Sequence, residues 1–229
     1  MAQPFSIAEL VLIQWLFQPG APRLLDIRIA EDRALDPGAL PASIALPFDD
    51  LTGRIDAAKA RASVVVVCQG GLKLSQATAA RLAERGVAAG FLAGGLAAWR
   101  GAALPLWQGE AAARWIAPWT PEPQTCVARW LVQRLLPHAS EVILVAPDQI
   151  DAATKPFGAT VLPPPDELFR NLDRALPQLT YALDFAESAG FAALCEGHAA
   201  RLGPQGHWFD AIAGDLDALV ARRAVEHVA

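Results

Sequence analysis

The chain has 229 residues, 53% of them hydrophobic, with 19 Lys plus Arg against 24 Asp plus Glu for a formal net charge of −5. That length has room for one large or two ordinary domains, and the apolar content is ample for a packed core, which excludes a disordered chain. Basic residues are scattered without a run and no apolar run approaches the roughly 20 residues of a membrane span, so neither nucleic acid nor a membrane is an expected partner.

In chain order, residues 6–17 read as a helix. Its most apolar part, Leu10 to Phe17, follows Glu9, contains Gln14 and Trp15 and has no basic segment before it. That suits a packed helix rather than a secretory signal and makes the cytoplasm the expected location. A strand is predicted at 23–26, a short one at 43–46, a helix at 51–58, and a strand across the four valines Val64 to Val67. A helix over 75–85, a strand at 89–92 and a helix over 95–100 follow. Strands alternating with helices predict α/β layers around a mostly parallel sheet flanked by helices. A boundary falls between residues 102 and 123, where Leu104-Pro105-Leu106 closes the first unit and Pro118, Pro121 and Pro123 resist both helix and central strand. The expected domains are 1–108 and 109–229. In the second, a strand at 113–116, a helix over 126–136 and a strand at 141–145 lead into a mainly helical remainder. Pro163-Pro164-Pro165 forms a rigid break before a helix over 166–175.

Chemistry concentrates in Cys68-Gln69-Gly70-Gly71-Leu72-Lys73-Leu74-Ser75. Four consecutive β-branched residues read as a strand covered on both faces, which delivers Cys68 into a turn ahead of a helix. Cysteines near backbone N–H groups and a helix N-terminus are those in which the thiolate is favoured. Gly70 and Gly71 allow the backbone to curl around an anion, and Lys73 adds a positive charge. On the strand and the thiol alone, an inert core cysteine is an equally good reading.

The ordered set of motifs resembles the rhodanese-like sulfurtransferases. Leu24-Leu25-Asp26-Ile27-Arg28 matches that family's Asp-x-Arg strand end. Leu40-Pro41-Ala42-Ser43 matches its Leu-Pro-x-Ser segment, with Ala39 where histidine is frequent. Cys68 matches the active-site cysteine, and Gly94-Gly95-Leu96-Ala97-Ala98-Trp99 matches the closing Gly-Gly-x-x-x-Trp. Lys73 stands where many members carry arginine, and Ser75 falls one place late. The resemblance implies transfer of sulfane sulfur from thiosulfate or a similar small anion, through a Cys68 persulfide, to a small thiol, cyanide or a protein thiol, with no cofactor. Gln69, Gly70, Gly71, Leu72, Lys73 and Leu74 would cradle the substrate, Arg28 would steer the anion, and Asp26 and Ser75 would support the loop. An ammonium in place of a guanidinium holds an oxyanion with less geometric selection, which argues against the phosphoryl chemistry of related phosphatases.

Residues 126–135, then Phe157-Gly158-Ala159 and Phe209-Asp210-Ala211-Ile212, resemble the C-terminal domain of chromate-resistance proteins, which occurs fused behind a rhodanese-like domain. This implies an alternative in which the chain is a non-catalytic redox or oxyanion-sensing module in chromate resistance. Three separated cysteines, Cys68, Cys126 and Cys195, give neither a disulfide framework nor a zinc site, so no metal is expected. Cys126, one turn before Trp130, reads as core, and Cys195-Glu196-Gly197-His198 lacks a second ligand pair. Trp115, Trp119 and Trp130 read as an apolar contact near the boundary.

Overall fold

The computed structural model describes residues 4–18, 20–46, 63–108, 114–136, 141–170, 172, 177–202 and 208–226. The helix expected over 51–58 lies outside them. The chain divides into two compact units, Met1–Gln108 and Gly109–Ala229.

In the first unit, β1 (Phe5–Ile7) leads into α1 (Glu9–Leu16), followed by β2 (Arg23–Asp26), α2 (Ala30–Leu35), β3 (Ser43–Ala45) and β4 (Val64–Val67). Next come α3 (Lys73–Glu84), β5 (Ala89–Leu92) and α4 (Gly95–Gly101). The five strands lie in the order β1-β5-β4-β2-β3, and every described pairing is parallel. All four valines of β4 are buried, as a central strand covered on both faces requires. Val64, Val66 and Cys68 share one core cluster with Ala79 and Leu82 of α3 and with Leu25 of β2. The α1 helix contributes Leu12, Ile13 and Leu16 to the buried set. After α4, the indole N–H of fully buried Trp99 donates to the carbonyl of Pro105 at 2.8 Å, fixing the chain as it leaves the helix.

In the second unit, β6 (Arg114–Pro118), α5 (Pro123–Leu135) and β7 (Glu141–Val145) are followed by a short 3₁₀ turn and α6 (Ile150–Phe157), β8 (Thr160–Val161) and α7 (Pro165–Phe169). Three longer helices complete it: α8 (Pro177–Ala186), α9 (Ala189–Leu202) and α10 (Trp208–Glu226). Its parallel sheet has the order β7-β6-β8. Pro123 opens α5 at a position that needs no N–H, and the Glu122 carboxylate accepts the N–H of Thr125 at 2.8 Å. Buried Asp217 of α10 accepts from the Trp130 indole at 2.9 Å and from Arg134 Nε at 2.8 Å, tying α10 to α5.

Four expectations differ from this fold. The helix expected over 166–175 is the five-residue α7, which ends at Phe169, with Leu172 in a β-bridge. The segment read as one helix from residue 6 is a three-residue strand followed by a helix. The helix α2 was not anticipated. Pro118 is the last residue of the central strand β6, in register with Val145 of β7. A proline at a strand's last position interrupts nothing further along the ladder. Among the described residues, no helix is long and apolar enough to cross a membrane.

Candidate functional site

Cys68 follows the last residue of β4, at the end of a parallel strand where open α/β sheets place ligands. Its side chain is 6% exposed. The Cys68 thiol donates to Ser75 Oγ at 3.2 Å, and that hydroxyl in turn donates to the carbonyl of Leu72 at 3.2 Å. Ser75 lies in the first turn of α3, fully buried, so its place one residue later than in the family pattern still sets it against the sulfur. The N–H groups of Gln69, Gly70, Gly71 and Leu72 have no backbone acceptor among the described residues. These residues follow Cys68 directly in the loop that leads from β4 into the 12-residue α3. Lys73 and Leu72 are exposed at the outer face, while Leu74 packs partly against the core cluster.

The loop is held from behind by the Gly-Gly turn that opens α4. The Leu96 N–H donates to the Cys68 carbonyl at 3.1 Å and the Ala97 N–H to the Gln69 carbonyl at 3.0 Å. Gly71 (φ 64°) and Gly95 (φ 59°) both adopt left-handed backbone. A Cβ on Gly71 would lie 2.5 Å from Gly94 N and 2.6 Å from Gly95 N, and one on Gly95 would meet the Cys68 carbonyl. The Gln76 amide donates to the Gly71 carbonyl at 3.1 Å and closes the loop on α3.

Asp26 and Arg28 form a buried pair at the end of β2, which is in register with β4 there. Arg28 Nη2 donates to Asp26 Oδ2 at 2.8 Å and to the Gly38 carbonyl at 2.9 Å, and Nη1 donates to the Asp36 carbonyl at 2.7 Å. Arg28 is 2% exposed, so the residue expected to steer an anion instead clamps the 36–38 segment to β2. The Asp26 carboxylate also accepts the backbone N–H of Arg28 at 3.0 Å, which fixes the turn at the end of β2.

Sequence reasoning missed Asp36. Arg100 of α4 pairs with its carboxylate. The hydrogen bond from Arg100 is the largest cause holding the Asp36 carboxyl below its usual range, against a smaller opposing effect of burial. No local motif signals this contact, because its partners lie far apart in sequence. Gln69, next to the thiol, has its Oε1 buried without a partner among the described residues.

Elsewhere, Cys195 is a free, buried thiol of α9, and the His198 ring contacts Asp215 at 2.9 Å and Arg201 at 2.8 Å. Among the described residues, no cluster of His, Cys, Asp or Glu is arranged to hold a metal ion.

A parallel α/β sheet that carries a cysteine loop at its strand ends, backed by a Gly-Gly helix start, defines the class of the first unit. A family model described as "Rhodanese-like domain" matches residues 12–102, and this region of the chain is a rhodanese-like domain. The solved rhodanese-like domain protein from Staphylococcus aureus is 26% identical, with a TM-score of 0.37, over 41% of this chain and 89% of its own. A protein from Lactobacillus plantarum is 31% identical, with a TM-score of 0.39, over 44% of this chain and 86% of its own. A thiosulfate sulfurtransferase from Pseudomonas aeruginosa is 17% identical, with a TM-score of 0.40, over 93% of this chain and 29% of its own. No curated protein matches the chain.

Proposed function

We propose that the first unit is a sulfurtransferase that carries sulfane sulfur on Cys68. The observation that carries this reading is the placement of the Cys68 sulfur against Ser75, at the head of a loop whose next four N–H groups lack a backbone acceptor among the described residues. In the donor half-reaction, the Cys68 thiolate attacks the outer sulfur of thiosulfate. A new S–S bond forms, the S–S bond of the donor breaks, and sulfite leaves with the electron pair. The negative persulfide sulfur then lies where the N–H groups of Gln69 to Leu72 stabilise it. Lys73, exposed at the rim, draws in the doubly charged donor. In the second half-reaction, an acceptor thiolate or cyanide takes the outer sulfur and regenerates the Cys68 thiolate. The thiol must be free, which suits a reducing cytoplasm. No cofactor, nucleic acid or membrane enters the scheme.

The test is intact mass of the reductant-free protein after incubation with thiosulfate, beside Cys68→Ala. The expected result is a gain of one sulfur atom that is absent in the variant. No gain in the native chain, with Cys68 still alkylatable, removes the proposal.

A second reading takes the chain as a non-catalytic redox or oxyanion-sensing module in chromate resistance, with residues 109–229 as a divergent C-terminal domain of that family. The low exposure of Cys68 favours it, because a sulfur so enclosed suits binding more than turnover. Oxyanion binding without sulfur gain is its signature in the same experiment.

A further inference from the structure

The second unit has a cleft that sulfur transfer does not use. Its parallel sheet ends there: Ala117 and Pro118 close β6, Leu162 and Pro163 follow β8, and the first turns of α5 form the third side. The carboxyl ends of strands are where open parallel sheets take up ligands. The cleft measures about 280 Å³, just below the range of drug-sized sites, which fits a ligand of about ten non-hydrogen atoms. Two small buried residues, Ala117 and Ala128, leave the room, and the rings of Pro118, Pro163 and Pro164 give it rigid apolar walls that offer no N–H.

The polar end of the cleft selects by charge. The Glu122 carboxylate lines it and is held in place, because Oε2 accepts both the N–H of Thr125 at 2.8 Å and the Thr125 hydroxyl. Oε1 has no partner among the described residues, and none of the Lys and Arg residues among them forms an ion pair with Glu122. The start of α5 is closed to anions. Pro123 has no N–H, that of Thr125 is taken by Oε2, and that of Cys126 donates to the Glu122 carbonyl at 3.0 Å, which leaves Gln124 alone of the first four. One N–H beside a carboxylate repels an anion more than it holds one. A cation meets a fixed, unfilled acceptor.

We infer that this cleft binds a small organic cation, a primary ammonium on a compact apolar body. The ammonium N–H donates to Glu122 Oε1, and the body lies against Leu162 and the three prolines. An exposed carboxylate by itself holds an ammonium weakly, so the apolar walls are what make a site of it. Gln124 also lines the cleft and supplies an amide oxygen for a second N–H. The inference concerns the second unit and stands or falls independently of Cys68.

Three probes that share one body and differ in charge test this on the full-length chain: phenethylamine as its ammonium, phenethyl alcohol and hydrocinnamate. Each is titrated at neutral pH and read from backbone amide chemical shifts in NMR spectra. The ammonium is expected to shift residues within 117–128 and 160–162 and to bind about tenfold more tightly than the alcohol, with the carboxylate weaker still. Glu122→Gln keeps an oxygen for the Thr125 cap, and it is expected to bring the ammonium down to the alcohol's affinity while leaving the alcohol's unchanged. Equal binding of all three, a preference for the carboxylate, no saturable shift with the ammonium, or shifts that map elsewhere overturns the inference. If the variant does not fold, the charge series on the native chain separates the same outcomes.

Discussion

Ser75 shows how one hydroxyl can serve two states of the same sulfur. With Cys68 as a thiol, S–H donates to Oγ while O–H donates to the Leu72 carbonyl. When the thiolate or persulfide forms, the hydroxyl can rotate and donate to sulfur instead. A hydrogen bond to a charged group contributes about 1.5 kcal/mol, so Ser75→Ala is expected to slow sulfur loading by about tenfold. Single-turnover loading of the variant at the native rate would show that the hydroxyl has no such part. At this scale the thiol was legible in the sequence, because a valine strand followed by glycines and a cationic helix start is a local pattern. The Arg28 clamp was not, since its acceptors at Asp36 and Gly38 are carbonyls, which any residue could supply.

At the scale of elements, the cysteine loop and the start of α4 form one interlocked turn. Gly95→Ala combines a left-handed backbone, which costs a β-carbon roughly 1–2 kcal/mol, with a clash against the Cys68 carbonyl. It is expected to lower the denaturation midpoint and abolish sulfur loading together, and a stable, active variant would contradict the interlock. The Asp36–Arg100 pair adds a pH-dependent tie between the chain after α2 and α4. A carboxyl with a lowered native value contributes stability that is present above its ordinary value of 3.8 and is lost as pH falls toward the native one. Native protein should therefore lose more stability than Asp36→Asn between about pH 5 and about pH 3, as read from denaturant midpoints, and parallel profiles would refute the tie. The strands β2, β5 and β7 were legible to the residue from their apolar runs. The strand β1 was not, because three residues are too few to show a period of two and the apolar α1 follows directly. The helix α2 has six residues, none buried and no side-chain cap, so it offers neither an apolar face nor a start signal. Pro118 misled because its place at the end of a ladder depends on pairing partners distant in sequence.

The whole chain consists of two units, each with its own parallel sheet and buried core. The first contains all the residues assigned to sulfur transfer. A fragment of residues 1–108 is accordingly expected to unfold cooperatively and to gain sulfur from thiosulfate at close to the full-length rate. A folded fragment that stays unloaded while the full chain loads would assign part of the chemistry to the second unit. The architecture of the first unit was legible because its motifs recur in a fixed order along the chain. That of the second was less so, because what holds it together, such as Asp217 joining Trp130 and Arg134 across two helices, leaves no spacing to read.

The contact between Gly71 and Gly95 also bears on transplanting the reactive loop into another scaffold. Residues 68–75 moved alone would leave behind the glycine turn that their backbone occupies and the two N–H donors that hold the Cys68 and Gln69 carbonyls. The smallest portable unit is discontinuous, two short pieces that a host protein must present at the ends of neighbouring parallel strands.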